Sequence, residues 1–223
     1  MTQLTWALRS VRERGCVRTS KIVASVIADL AFDWKYGTDT RRPVWTDSLE
    51  TDSENKSRAI SYQPTKARPF LRVLGQLHLP EDSVFVDLGS GKGRALLLAS
   101  QHRFKRVVGL EFCSRLCAQA RANVDLFRRK ARVRAPIEII ETDVTRYRFR
   151  GDENVFYLFH PFDALVLSQV LESIGRSIEE KPRKIWLIYN TPEHREAIEQ
   201  AGLFAPSFHL YESGGTEFRV YAN

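Results

Sequence analysis

Three carboxylates and a glycine turn carry the chemistry that this 223-residue chain offers. Asp87, Glu111 and Asp143 lie at the ends of the apolar runs 84–88, 106–111 and 137–143. Runs of that length between turn signals read as buried strands. The C-terminal ends of parallel strands share one edge, so the three acids converge on one crevice. Gly89-Ser90-Gly91-Lys92-Gly93 follows the first run and precedes a helix over 94–100. Glycines let backbone approach a ligand closely, and a helix start presents free N–H groups. A P-loop would need Gly-x-x-x-x-Gly-Lys-Ser/Thr, which Gly91-Lys92-Gly93 does not supply. Asp87 would also repel a pyrophosphate; it suits a ligand with a cationic portion. Glu111 stands 24 residues after Asp87, where doubly wound nucleotide folds place an acid on ribose hydroxyls.

The register of Asp87 before Gly89-x-Gly91-x-Gly93 resembles motif I of the class I, seven-strand S-adenosylmethionine (SAM)-dependent methyltransferases. The resemblance covers residues 62–223 and implies SAM as cofactor and S-adenosylhomocysteine as product. By that resemblance Asp87, Gly89, Ser90, Gly91 and Gly93 hold the methionine part. Glu111 holds the ribose, Asp143 accepts the adenine amino group, and the backbone N–H of Val144 donates to the ring. Tyr62-Gln63-Pro64-Thr65 resembles a lead-in found in several methyltransferases, non-SET lysine methyltransferases among them, that reaches over SAM. Tyr62, Thr65, Phe159, His160 and Phe162 would then surround the sulfonium and the incoming nucleophile. The read strand 154–159 runs into His160-Pro161-Phe162-Asp163, which marks this branch. Nucleobase- and glutamine-amine methyltransferases have Asn/Asp-Pro-Pro-Tyr/Phe there, and His160 departs from that pattern. An imidazole with an ordinary pKa near ~6.5 can take a proton from a hydroxyl or ammonium. It can equally be a hydrogen-bonded turn residue.

The elements that must position these residues make an α/β chain. It reads as a Rossmann-like, doubly wound seven-stranded sheet closed by an antiparallel hairpin around Ser213-Gly214-Gly215. The helices are read over 66–77, 94–100, 112–130 and 164–178, and from Thr191-Pro192 onward. Pro64 and Thr65 fit the entry to the first, with Ser61 or Thr65 as its cap. Residues 61–223 form the methyltransferase domain, and 1–60 a helical extension followed by a loop. Within 6–31, Val11, Val17, Ile22, Val23, Val26, Ile27 and Leu30 form an apolar side expected to pack on the domain, and Gly15 interrupts the helix. The aromatic segment 32–40 is expected to fold over the active site or to form a partner surface such as a homodimer contact. Residues 41–58 are polar and read as a surface loop.

Cys16, Cys113 and Cys117 make no zinc pattern or disulfide framework, and no metal is called for. Cys113 and Cys117 are expected to be small core residues. No apolar run reaches the roughly 20 residues of a membrane span. No signal-peptide core precedes residue 10, so the expected location is cytoplasmic. A net charge of +7 and the arginines at 121–134 attract acidic or phosphate-rich partners. Nucleic acid is admitted as a partner but not favoured. The function expected is methyl transfer from SAM to an unidentified acceptor, a protein amine such as lysine or a small-molecule hydroxyl. The alternatives are an RNA methyltransferase and a SAM-binding protein without turnover.

Overall fold

The computed structural model describes residues 16–49, 51–211 and 216–223. Its seven strands are β1 Val84–Leu88, β2 Arg106–Glu111, β3 Ile137–Glu141, β4 Glu153–Phe159, β5 Trp186–Asn190, β6 Ala205–Tyr211 and β7 Glu217–Ala222. They form one sheet in the order β3-β2-β1-β4-β5-β7-β6. β1 to β5 are parallel, and β7 runs antiparallel between β5 and β6. This is the expected seven-stranded sheet with its closing hairpin; the turn read at Ser213-Gly214-Gly215 lies outside the described residues. The helices are α1 Cys16–Tyr36, α2 Ala67–Gln76, α3 Arg94–Ala99, α4 Ser114–Arg128, α5 Ala164–Glu180 and α6 Arg195–Ala201. Among the described residues no helix is long and apolar enough to cross a membrane.

Helices cover both faces of the sheet, so its inner strands are apolar throughout instead of alternating. In β1, Val84, Val86 and Leu88 join Val166, Val170 and Ile174 of α5 in one core. Phe85 points the other way and joins Phe70 and Val73 of α2 and Leu96 of α3. Asp87 alone breaks the apolar run of β1. A third layer lies outside α3. There Val124 and Phe127 of α4 meet Leu97, and Phe32 and Tyr36 of α1 pack on the Phe127 ring at 5.9 and 4.4 Å.

Four local readings need correction. Of the apolar row expected to pack on the domain, the three side chains described, Val23, Ile27 and Leu30, do not: they are 39, 58 and 40% exposed. α1 is held instead by Phe32, Tyr36 and two acids, because the buried Arg94 guanidinium needs partners. Its Nη1 lies 3.0 Å from Asp29 Oδ1, its Nε donates to Thr40 Oγ1 at 2.7 Å, and it sits over the Phe32 ring at 4.4 Å. Val11 and Gly15 are outside the described residues, as are the side chains of Cys16, Val17, Ile22 and Val26.

Neither Ser61 nor Thr65 caps α2, whose N-cap position is held by Lys66 with no capping bond from its side chain; Thr65 Oγ1 is taken by Tyr157 OH at 2.8 Å. Thr191 does not start α6. It sits at φ 55° in a turn, and the N-cap is His194. Finally, 41–58 is exposed or half-buried for most of its described length, as a surface loop is, but it is not a loose one. Leu49 is 4% exposed against Cys113 and Leu116. Val44 pairs with Tyr62, and Ala59 with Phe162. The segment is a strap across the C-terminal edge of the sheet, and polar residues suit it because the groups beneath it are polar. Cys113 and Cys117 are buried as expected, with the Cys117 thiol pushed up to about 12 by burial.

Candidate active site

The strand order reverses between β1's two neighbours, β2 and β4, and open α/β sheets bind ligands at such a switch point. A cavity of about 870 Å³ lies there. The glycine turn forms its floor. Gly89, Gly91 and Gly93 have φ of 83°, 53° and 84°, which a side chain disfavours. A Cβ on Gly89 would come within 2.6 Å of Pro161, and one on Gly91 within 2.1 Å of the Tyr62 ring. Gly93 is placed differently. It N-caps α3, its face is turned to Ala120 of α4, and it does not line the cavity. Ser90 also lines the cavity; its Oγ is buried on the side of Gly109 in β2 and has no hydrogen-bond partner among the described residues.

The three strand-end carboxylates all line this cavity, in three different states. Asp87 is 3% exposed and makes no hydrogen bond or ion pair with another described residue. Burial first, and then the neighbouring Glu111 charge, hold its carboxyl well above the usual range. Glu111 is 4% exposed; Oε2 accepts from Gly91 N at 2.8 Å and Oε1 from Cys113 N at 3.0 Å. Burial raises its pKa, and these N–H bonds moderate the rise. Asp143 is saturated. Oδ1 accepts from Thr145 N at 2.9 Å and Thr145 Oγ1 at 2.8 Å; Oδ2 accepts from Asn55 Nδ2 at 2.9 Å and from Ser53 Oγ. Burial would raise its pKa, but those hydrogen bonds outweigh it and the carboxyl is held below its usual range.

Val144, Tyr62, Thr65, Phe159 and Phe162 complete the predicted residues that line the cavity. Tyr62 is fixed by its hydroxyl, which donates to Thr40 O at 2.7 Å. Segment 32–40 thereby reaches the cavity wall, having run from the Phe127 stack past Arg94. Phe162 is held by its bridge to Ala59, and next to it Asp163 caps α5 by accepting from Val166 N at 3.1 Å.

His160 is turned away from this cavity. It lines a neighbouring one of about 1040 Å³, which shares Ile60, Ser61, Gln63 and Phe159 as a wall with the first. Its backbone is left-handed at φ 41°, a strained state for histidine. Its Nδ1 lies 3.3 Å from Tyr189 OH, and its ring centre 5.0 Å from that of His194. Burial, and then the adjacent His194, lower its pKa, with Glu193 opposing. Arg41, Lys66, Asn190 and Thr191 also line this second cavity. No group of three His, Cys, Asp or Glu among the described residues is placed to hold a metal ion.

The sequence reading missed Ser53, Asn55, Arg94 and Tyr157. Tyr157 OH accepts from Asn190 Nδ2 at 3.1 Å while bonded to Thr65, and so links the two cavities' walls. Ser53 had a readable signal: it caps a short 3-10 turn, accepting from Asn55 N at 3.0 Å. The other three had none.

The fold is shared with solved structures of several methyltransferases. An RNA methyltransferase from Salinibacter ruber in complex with S-adenosylhomocysteine is 21% identical at TM-score 0.52, over 71% of this chain and 92% of that one. A SAM-dependent methyltransferase from Aquifex aeolicus is 14% identical at TM-score 0.53, over 69% and 88%. The tRNA methyltransferase TrmK of B. subtilis is 15% identical at TM-score 0.54, over 72% and 67%. No curated protein matches the chain. The family described as histone methylation protein DOT1 matches residues 53–168, just over half of the 223. That span takes in the strap from Ser53, the glycine turn, all three carboxylates and the His160 loop. On that match the chain belongs to the DOT1 family, and its activity is SAM-dependent methyl transfer.

Proposed function

We propose that the 870 Å³ cavity holds SAM and that the acceptor is an amine of a protein side chain, lysine above all, presented from the second cavity. The observation that carries the acceptor is the match to a family named for histone methylation. The residues present fit the cofactor. An unpaired carboxylate on Asp87 calls for a cation, and the cradle at Gly89 and Gly91 has no room for a Cβ, which would press on Pro161 or Tyr62 of the cavity wall. In this reading Asp87, Gly89, Ser90 and Gly91 take the amino-acid end. Glu111, pinned by two N–H groups, has acceptor capacity left for the ribose hydroxyls. Asp143 and the Val144 N–H take the adenine, whose amino group has to share the Asp143 oxygens with Ser53 or Asn55. Gly93 supports the turn from behind.

SAM supplies an activated methyl group, and the protein needs to align the acceptor and exclude water. Tyr62, Phe159 and Phe162 do the excluding. A lysine must arrive as the neutral amine. Arg41 and Lys66 on the second cavity favour loss of its proton, since like charges lower an ammonium pKa, and Asp29 on the same cavity opposes them. The lowered pKa of His160 keeps its imidazole neutral at pH 7 and able to take that proton, with Tyr189 OH fixing the ring. Residues 61–223 make the transfer unit, and 1–60 is an extension that lends it the strap.

The test is incubation with methyl-tritiated SAM and fractionated cell extract, followed by amino-acid analysis. Methyl-lysine in the protein fraction is the expected product. Label confined to RNA or small molecules would overturn the acceptor. Absence of SAM binding by calorimetry would overturn the cavity assignment.

A further inference from the structure

At the far end of α4 from the cavity lies a second charged surface. Arg128, Arg129, Lys130, Arg132 and Arg134 are five cations in seven residues, and all five are exposed. None of their side chains makes a hydrogen bond or ion pair with another described residue. This sets them apart from the basic residues nearby. Arg103 pairs with Glu81, Arg106 with Asp152, Arg150 with Glu138, and the Arg121 guanidinium donates to Ile139 O. Asp125, one turn earlier on α4, is the acid closest to them in sequence.

The cations are also held in place. Ala131 and Val133 between them pack against the Phe127 cluster, and the N–H groups of Arg134 and Ala135 both donate to Ser100 O, at 2.8 and 3.1 Å. Burial alternates along the segment, with Lys130, Arg132 and Arg134 outward and Ala131 and Val133 inward. The result is a rigid row of positive side chains on a pinned backbone. No large exposed hydrophobic lies in it; those of the described residues lie elsewhere, as at Ile27, Trp34, Trp45 and Leu165.

We propose that this row binds the phosphodiester backbone of a nucleic acid, as a tether and not as the methyl-acceptor site. Four of the five cations are arginines, whose planar fork matches phosphate. A protein partner would need an apolar centre for its interface, and firm attachment to a bilayer needs an inserted anchor besides the basic residues; the row has neither. The tether reading follows from position. α4 starts at Ser114, just past the end of β2 at the cavity edge, and runs 15 residues away from it, about 22 Å. A strand lying on the row is therefore remote from the transfer chemistry.

The test uses a short fluorescein-labelled DNA duplex and an RNA single strand of equal length, with polyglutamate and phosphatidylserine vesicles as competitors. Five phosphate contacts give a slope of log affinity against log salt of about −4 to −5 on duplex, a few hundred-fold between 50 and 200 mM. The triple variant R128Q/R129Q/K130Q and the double variant R132Q/R134Q should each weaken binding at least about tenfold at low salt. They should flatten the slope by about 3 and 2 units. The duplex and single-strand arms separate DNA from RNA. SAM affinity of both variants, measured by calorimetry, should equal that of the parent, which shows them folded. No binding at low salt, equal binding by the variants, or competition by polyglutamate or vesicles as strong as by nucleic acid would each overturn the proposal. A protein that binds duplex but not SAM would sink the cofactor assignment and leave this one standing.

Discussion

Asp87→Asn should make the ligand-free protein more stable at neutral pH while weakening its hold on SAM. The native carboxyl is 3% exposed, unpaired, and held well above its usual pKa by burial and by Glu111. A folded-state pKa above the unfolded value means the folded chain holds this proton where the unfolded chain has released it. Stability from this group is thus complete below about pH 3.9 and is lost as pH climbs through the raised value. At pH 7 the charged form is a cost. A buried group left unsatisfied costs about 1–3 kcal/mol, and for a chain of this size each kcal/mol moves Tm by about 2–4 °C. Asparagine removes the charge in nearly the same volume, so Tm without ligand should rise by about 2–12 °C at pH 7, and by less at pH 5. The same change removes the partner of the ligand's cation. Truncating a buried charge pair costs about 2–5 kcal/mol, so the Kd for SAM should rise about 30-fold or more. Thermal scans with and without SAM at both pH values, with calorimetry, measure both effects. A variant that melts lower than the parent without ligand, or binds SAM as well, would refute the reasoning.

The other expectations concern the turn, the proton and the outer helix. Gly91→Ala places a Cβ 2.1 Å from the Tyr62 ring at φ 53° and should abolish SAM binding in a calorimetric titration while the fold survives by circular dichroism. His160→Gln should lower the transfer rate by about 10²–10⁴ and leave SAM affinity unchanged. Because burial and His194 hold the His160 pKa below the usual imidazole range, protonation of this ring should cut the parent rate on the acid side of that range, a limb that His160→Gln removes. A pH profile of unchanged shape in the variant counts against this role. Arg94→Met removes the buried guanidinium that holds the half-buried Asp29 and Asp33, so chemical denaturation should show about 1–3 kcal/mol of lost stability. A loss under about 1 kcal/mol would mean the pair is replaceable.

What the sequence made legible was whatever periodicity and turn chemistry control. The apolar runs fixed five parallel strands, and the positions of Asp87, Glu111 and Asp143 at their ends carried straight through to one cavity. Burial of both sheet faces leaves strands no alternation to misread, and Gly89 and Gly91 signalled backbone that tolerates no side chain. Illegible were the contacts between segments distant in sequence. Nothing local to Ser53 or Asn55 says that Asp143, 90 and 88 residues away, accepts their hydrogen bonds. Nothing in the helix pattern of 16–36 says that Asp29 and Asp33 will face inward while Ile27 faces water. That choice is dictated by Arg94, whose buried charge outranks the packing of three aliphatic side chains. His160 was read at the correct strand end, but its positive φ swings the ring to the far side of Phe159, and a single dihedral is not written in composition.

The strap has a kinetic corollary. It is clamped at both ends, by Val44 against Tyr62 and by Ala59 against Phe162, with Arg58 on Asp163 at 2.8 Å and Ser53 and Asn55 latched to Asp143 between them. On the proposed cavity assignment, nucleoside traffic waits for that latch to lift. Stopped-flow association should therefore level off at high ligand concentration, at a ceiling belonging to the protein, and Ser53→Ala with Asn55→Ala should lift the ceiling. A rate that kept rising linearly with ligand would show an open door.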